Sequence, residues 1–252
     1  MNLYTDYYGS APTNYGISNN NYAASDLSNG VADMLVTYCG FSLVKHATSG
    51  NYSCSSNYAE ISKDGFNIRI YYNTYNSTNQ SDLSIYFDYY YTGGSTRITQ
   101  YITQCFKYNL KYSNAFEIKL RVFNCKTGIT YFQIGCDTYG LATTPAIVRC
   151  TRISTGEEKT ILLTGLSSIA CYINGDTSSL SISAGTGMYD VDSVKQILSP
   201  VWVNIQSSGC RYILKDCYQS SSYKYTGSVQ IGDRYFYIPG NGSICLECNA
   251  PS

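Results

Sequence analysis

The chain is predicted to be all-β, mainly antiparallel sandwich and meander, with one short helix near its start. Three observations predict this. Short runs with strict two-residue alternation recur along most of the sequence, separated by Gly, Asn, Asp and Ser turn signals. Tyrosine, a strand-favouring residue, occurs 28 times, against 17 for lysine and arginine together. A helical period appears convincingly in one stretch only. At 252 residues the chain is long enough for one large β unit or two smaller ones with an ample core.

Residues Asn2 to Ser25 are Tyr, Asn, Ser, Gly and Ala without a period. Alone, such a segment buries too little apolar surface to order itself. Residues 1–25 are therefore expected to form an extended N-terminal arm lying across a neighbouring subunit. Asp26 to Tyr38 is the helix. Ser25 or Asp26 caps it, Val31, Met34, Leu35 and Tyr38 make an i, i+3, i+4, i+7 stripe, and Gly40 follows as the residue past the end. Gly30 inside it costs about 1 kcal/mol against Ala.

Phe41 to Val44 and a loop with His46 lead to the hairpin on which the fold is built, Phe66 to Tyr91. Phe66, Ile68, Ile70 and Tyr72 share one face of the first run, and Leu83, Ile85, Phe87, Tyr89 and Tyr91 share one face of the second. Making the apolar faces coincide sets Ile70 opposite Phe87 and Ile68 opposite Tyr89. Arg69 then faces Asp88, and Tyr71 faces Tyr86, on the other side. A shift of two residues would keep the faces and lose the Arg69–Asp88 pair.

Beyond it, strands are expected at Thr96 to Ile102, Cys105 to Tyr112, Phe116 to Phe123 and, after an Asn124–Gly128 turn, Ile129 to Cys136. Thr138 to Pro145 lacks pattern and marks a boundary, dividing the chain into 1–25, 26–140 and 141–252, unless the last two form one continuous unit. Ile147 to Ile153 and Lys159 to Leu163 flank Ser154-Thr-Gly156 as a hairpin. Strands at Ile169 to Ile173, Leu180 to Ile182, Val201 to Ile205 and Arg211 to Leu214 follow, with Val191 to Leu198 as a short helix capped by Asp190 or Asp192. Gly232-Asp233, a favoured two-residue loop, joins Ser228–Ile231 to Arg234–Ile238, and Ile244 to Glu247 ends the series.

The formal net charge is zero and no basic cluster occurs, so a nucleic acid is not an expected partner. No apolar run approaches the roughly 20 residues of a membrane-spanning helix. The opening residues carry neither a basic n-region nor an apolar h-region, so synthesis in a reducing cytoplasm and free thiols are expected for the 11 cysteines. On the same ground, the Asn-x-Ser/Thr matches at Asn51, Asn76, Asn79 and Asn241 read as chance. An exterior rich in tyrosine and poor in net charge disfavours a solitary molecule and points to an assembly.

Motifs for chemistry are sparse, and no cofactor or metal is expected. Cys245-Leu-Glu-Cys248 has C-x-x-C spacing, but Cys210 and Cys217 upstream are too widely spaced for a zinc knuckle, and strand positions 245 and 248 face opposite ways. His46, the single histidine, lies in a turn away from any nucleophile motif. A glycan hydrolase would draw two carboxylates from Asp82, Asp88, Glu117, Asp137, Glu157, Glu158, Asp176, Asp190 and Asp192. The best functional clue is Tyr71, Tyr86 and Tyr90 beside Arg69 and Asp88. Either they form a flat patch for stacking on sugar rings or on another protein, or a second sheet buries them.

The ending Val229-Gln-Ile-Gly-Asp-Arg-Tyr-Phe-Tyr-Ile-Pro-Gly-Asn-Gly-Ser-Ile-Cys-Leu-Glu resembles the C-terminal hairpins of bacteriophage tail-associated structural proteins. The Asn/Ser/Tyr/Gly-laced strands are similar in style to phage virion components. The resemblance implies a non-enzymatic homo-oligomeric virion protein at a tail, neck or capsid surface, with itself, other virion proteins and a host cell-surface glycan as partners. A receptor-binding module of a tail fibre or tip, and a glycan hydrolase, are the alternatives.

Overall fold

The alternation that predicts the central hairpin also produces it. In the computed structural model, the two strands pair antiparallel from Phe66↔Tyr91 to Tyr75↔Asp82, with Ile70↔Phe87, Ile68↔Tyr89, Arg69↔Asp88 and Tyr71↔Tyr86 all in the predicted register. The structure describes residues 1–10, 24–48, 57–75, 82–94, 98–107, 117–136, 140–163, 171–173, 180–184, 198–205, 209–220, 227–238 and 244–251.

In chain order these form β1 (Tyr4–Ser10), α1 (Ala24–Cys39), β2 (Ser42–Lys45), β3 (Ala59–Lys63), β4 (Phe66–Tyr75), β5 (Asp82–Tyr91) and β6 (Ile98–Lys107). Next come β7 (Glu117–Phe123), β8 (Ile129–Thr130), β9 (Phe132–Cys136), β10 (Gly140–Thr143), β11 (Ala146–Arg152), β12 (Glu158–Leu163) and β13 (Cys171–Ile173). The series closes with β14 (Leu180–Ala184), β15 (Leu198–Ile205), β16 (Cys210–Ser220), β17 (Gly227–Ile231), β18 (Arg234–Ile238) and β19 (Ile244–Cys248). The fold is all-β and antiparallel, with one helix among the described residues. It divides into two compact units, which share the chain unevenly: residues 6–122 with 132–143, and residues 1–5 with 123–131 and 144–252.

The first unit holds a five-stranded sheet, β2-β3-β4-β5-β6, and a four-stranded sheet, β1-β7-β9-β10. Ile61, Ile68, Ile70, Phe87 and Tyr89 are buried on the inner face of the former, and Phe87 and Phe41 meet Phe132 of the latter at ring separations of 6.3 and 6.1 Å. α1 buries Val31, Met34 and Leu35 as expected, and Gly40 takes the left-handed conformation that ends it. Tyr38 departs from the predicted stripe: it is exposed and stacks on Tyr7 at 3.8 Å.

Several expectations for this unit need correction. Residues 4–10, expected in an extended arm lying across a neighbouring subunit, form β1 beside β7 in their own chain. The arm expectation for 11–23 lies outside the described residues. Charge pairing supplies what hydrophobic periodicity lacks, since Arg121 grips Asp6 with Nε and Nη2 at 2.7 and 2.9 Å and Lys119 adds a contact at 3.0 Å. These hydrogen bonds, Arg121's foremost, hold the Asp6 carboxyl below its ordinary range against the opposing effect of burial. Within the described residues, 98–107, the strands expected at 96–102 and 105–112 run together as one strand, β6, which follows β5 through two register shifts. The patternless 138–145 contains β10, because Gly135 lets the two backbones approach too closely for a side chain there and Gly140 enters the strand at a φ of 73°.

The second unit is a ten-stranded sheet organised by β16. β16 pairs with β15 along one edge; on the other, Tyr212–Leu214 pair with β11 and Cys217–Gln219 pair with β19. The change of partner falls at Asp216, whose φ of 55° lies in the left-handed region, in the same stretch where β16 shifts register against β15. The continuous strand expected at 129–136 breaks at Tyr131, and β8 fills the fork by pairing with β11. The core beneath joins Phe123, Tyr131, Val148, Cys150, Ile161, Val203, Tyr212, Leu214 and Leu246. The predicted hairpins at Ser154-Thr-Gly156 and Gly232-Asp233 are present, the latter with Ile231 opposite Arg234. The helix expected at 191–198 lies outside the described residues up to 197, and Leu198 opens β15.

Candidate functional site

The five residues singled out in the sequence lie together on the outer face of β4 and β5, and β3 extends their pattern. Glu60, Arg69 and Asp88 form one row across the three strands; Ser62, Asn67 and Tyr90 form the next. A row of carboxylate, guanidinium and carboxylate places the cation between two anions one strand spacing away on either side.

The side chains close on one another. Arg69 Nε lies 3.5 Å from Glu60 Oε2 and donates to the Tyr90 hydroxyl at 3.1 Å. Its guanidinium carbon sits 4.4 Å from the Tyr58 ring centroid and 4.5 Å from that of Tyr90, a cation held between two aromatic faces. Tyr90 donates its hydroxyl to Glu60 Oε1, which also accepts from Asn67 Nδ2 at 2.6 Å, and Thr92 Oγ1 donates to Asn67 Oδ1 at 2.6 Å. Tyr71 donates to Asp88 Oδ1 at 3.2 Å and stacks nearly parallel on Tyr86 at 5.5 Å. Burial, followed by the hydrogen bond to Glu60, raises the Tyr90 phenol above its ordinary range.

This is not the flat exposed patch that was one of the two expectations. Tyr71, Tyr90 and Asp88 retain only 8%, 7% and 2% exposure, and Tyr86 and Arg69 are half-buried. The face is a packed polar network whose phenols point at carboxylates. Glu60, Asn67 and Tyr58 belong to the network as well, beyond the five residues that the sequence singles out. The signal for Glu60 was present in Lys63-Asp64-Gly65-Phe66, where Asp64 and Gly65 both take positive φ and make the two-residue hairpin loop that pairs β3 with β4.

Other candidates separate in space. His46 Nε2 meets Asp33 Oδ1 of α1 at 2.8 Å on the exposed surface. Cys245 packs with Phe236 and Ile238, while Cys248 lies on the other face of β19 opposite Cys125. Of the carboxylates named for hydrolysis, Asp88 is in the network, Glu157 and Glu158 are exposed beside the β11–β12 turn, and Asp137, Asp176, Asp190 and Asp192 lie outside the described residues. The side chains of Asp82 and Glu117 lie outside them too.

No family model, curated protein or solved structure matches this chain. Its functional reading therefore rests on the residues themselves.

Proposed function

We propose that the chain is a non-enzymatic structural component of a bacteriophage virion that assembles through an open sheet edge. The observation that carries the assembly is β2. It is the terminal strand of its sheet, paired among the described residues with β3 alone. All four of its residues are exposed, with Leu43 at 43% and Val44 at 50%. A sheet edge presents a row of backbone donors and acceptors to any incoming strand, and apolar side chains on it add to the attraction. The virion setting rests on the resemblance of the C-terminal hairpins to phage tail-associated proteins.

The outer face of β3, β4 and β5 supports a structural reading in a second way. Its carboxylates accept hydrogen bonds from Asn67, Tyr71 and Tyr90, and its guanidinium is held by two rings. Groups committed to one another stiffen a sheet. A sugar-stacking surface needs open ring faces instead, and two of the three tyrosines named for it are buried.

Size-exclusion chromatography with light scattering tests the proposal. The wild-type chain is expected to associate as concentration rises, and the Leu43→Lys/Val44→Lys variant to shift toward monomer at an unchanged thermal midpoint. A wild-type chain that stays monomeric throughout the concentration range would overturn it.

A further inference from the structure

The second unit contains a pair of cysteines placed for a covalent bond that its strand pattern does not require. Cys125 and Cys248 are directly opposite in an isolated antiparallel bridge. Flanking bonds run from Lys126 N to Glu247 O at 2.9 Å and from Asn249 N to Asn124 O at 2.8 Å. Bonds in these positions define a non-hydrogen-bonded pair, the class with the closer side chains and Cα atoms near 4.5 Å apart. That separation falls within the range a disulfide spans. Both cysteines are free of disulfides, and Cys248 Sγ lies 3.6 Å from Leu246 O. Asn249 fastens the spot further, its Nδ2 donating to Cys125 O at 3.0 Å and to Asn124 Oδ1 at 3.1 Å.

The position of the bridge gives it a consequence. β16 leaves β11 after Cys150↔Leu214 and joins β19 from Cys217↔Leu246 onward. The segment from Asn124 to Thr130 occupies the resulting fork, joined to β19 at Cys125 and to β11 at Ile129 and Thr130. A bond there would tie a segment before β8 to the last strand of the sheet.

We propose that Cys125 and Cys248 form an oxidation-set latch that pins this fork. Cys125 is half-buried and Cys248 buried, so Cys125 meets the oxidant first. Its thiolate attacks one sulfur of a low-molecular-weight disulfide, forming a mixed disulfide and releasing one thiolate. The Cys248 thiolate then attacks the Cys125 sulfur and expels the second. One disulfide in the chain replaces the reagent disulfide, two electrons pass to the reagent, and the two protons lost by the cysteines end on the departing thiols. The hydrogen bond with Cys248 and then burial raise the Cys125 thiol well above its ordinary range. The latch is therefore slow at neutral pH and sets about tenfold faster per pH unit on the alkaline side, as the thiolate fraction grows.

The test is incubation of the native chain with oxidised glutathione at several pH values, followed by alkylation of remaining thiols and peptide mass spectrometry. The expected result is a principal cross-linked peptide pair joining Cys125 to Cys248, forming faster as pH rises. The oxidised chain should also melt about 5–10 °C higher than the reduced one, because a bond across a long loop restricts the unfolded chain. Cys248→Ala should remove both the cross-link and the rise. If that variant fails to fold, the peptide map and melting shift of the wild type still decide. Recovery of Cys125 and Cys248 as free thiols or separate glutathione adducts would overturn the proposal. So would dominant pairing of either with another cysteine, or a cross-link that leaves the melting temperature unmoved.

Discussion

Arg69 sits in a pocket made by two rings and a carboxylate, and its removal would be felt by each of them. Glu60 is buried and relies on Arg69, Asn67 and Tyr90 to balance its charge. Truncating one member of such a pair leaves a charge out of water without a counterpart, which costs more than the pair contributes. Arg69→Ala is expected to lower stability by about 2–4 kcal/mol in urea denaturation, the partial exposure of Arg69 keeping it below the fully buried case. A loss under about 0.5 kcal/mol would show that water already shares the guanidinium. Part of this network was readable in advance. The Arg69–Asp88 and Tyr71–Tyr86 pairings follow from alternation and charge together: a single-residue slip would expose Ile68 and Ile70, and a two-residue shift would separate Arg69 from Asp88. Burial of Tyr71 and Tyr90 was not readable, since alternation separates two faces without saying which of them stays wet.

At the scale of elements, the edges of the four-stranded sheet were hardest to foresee and have the clearest physical explanation. β10 carries no alternation, and it pairs with β9 where backbone meets backbone. A Cβ placed on Gly135 would fall 1.9 Å from Gly140 O. Gly135→Ala is therefore expected to push β10 off the sheet and cost about 2–3 kcal/mol or more, seen as a lower and broader thermal transition. An unchanged melt would mean that β10 adjusts without loss. β1 shows a different gap between pattern and structure. Its tyrosines and glycine carry no hydrophobic signal, and the groups that fasten it, Arg121 and Lys119, stand more than a hundred residues away. Local elements were far more legible. α1, the central hairpin and the Gly232-Asp233 loop each follow from residues within one or two turns of each other.

On the scale of the whole molecule, the predicted boundary at 140–141 lies close to the division at 143–144, but the second unit does not consist of the C-terminal part alone. It takes in residues 1–5 and 123–131. Phe123, Ile129 and Tyr131 belong to its core, and Asn124 N donates to Leu3 O at 2.9 Å. A fragment spanning 144–252 lacks all of these. Expressed alone, it is expected to show no cooperative thermal transition by circular dichroism, whereas the full chain melts cooperatively; a sharp melt of the fragment would refute the shared-segment division. The sequence by itself determined the all-β class, the antiparallel hairpins, the helix and, with the Arg69–Asp88 charge pair choosing among the registers that keep the faces, the register of β4 on β5, because each depends on side-chain period, turn chemistry and near neighbours over short spans. Tertiary structure alone decided that β1 joins a sheet, that the tyrosine face is packed rather than open, that β16 divides its partners at Asp216, and that Cys125 meets Cys248. These depend on which distant segments meet, and a strand's edge holds the same backbone groups whatever its sequence, so residue pattern does not say which neighbour will take them.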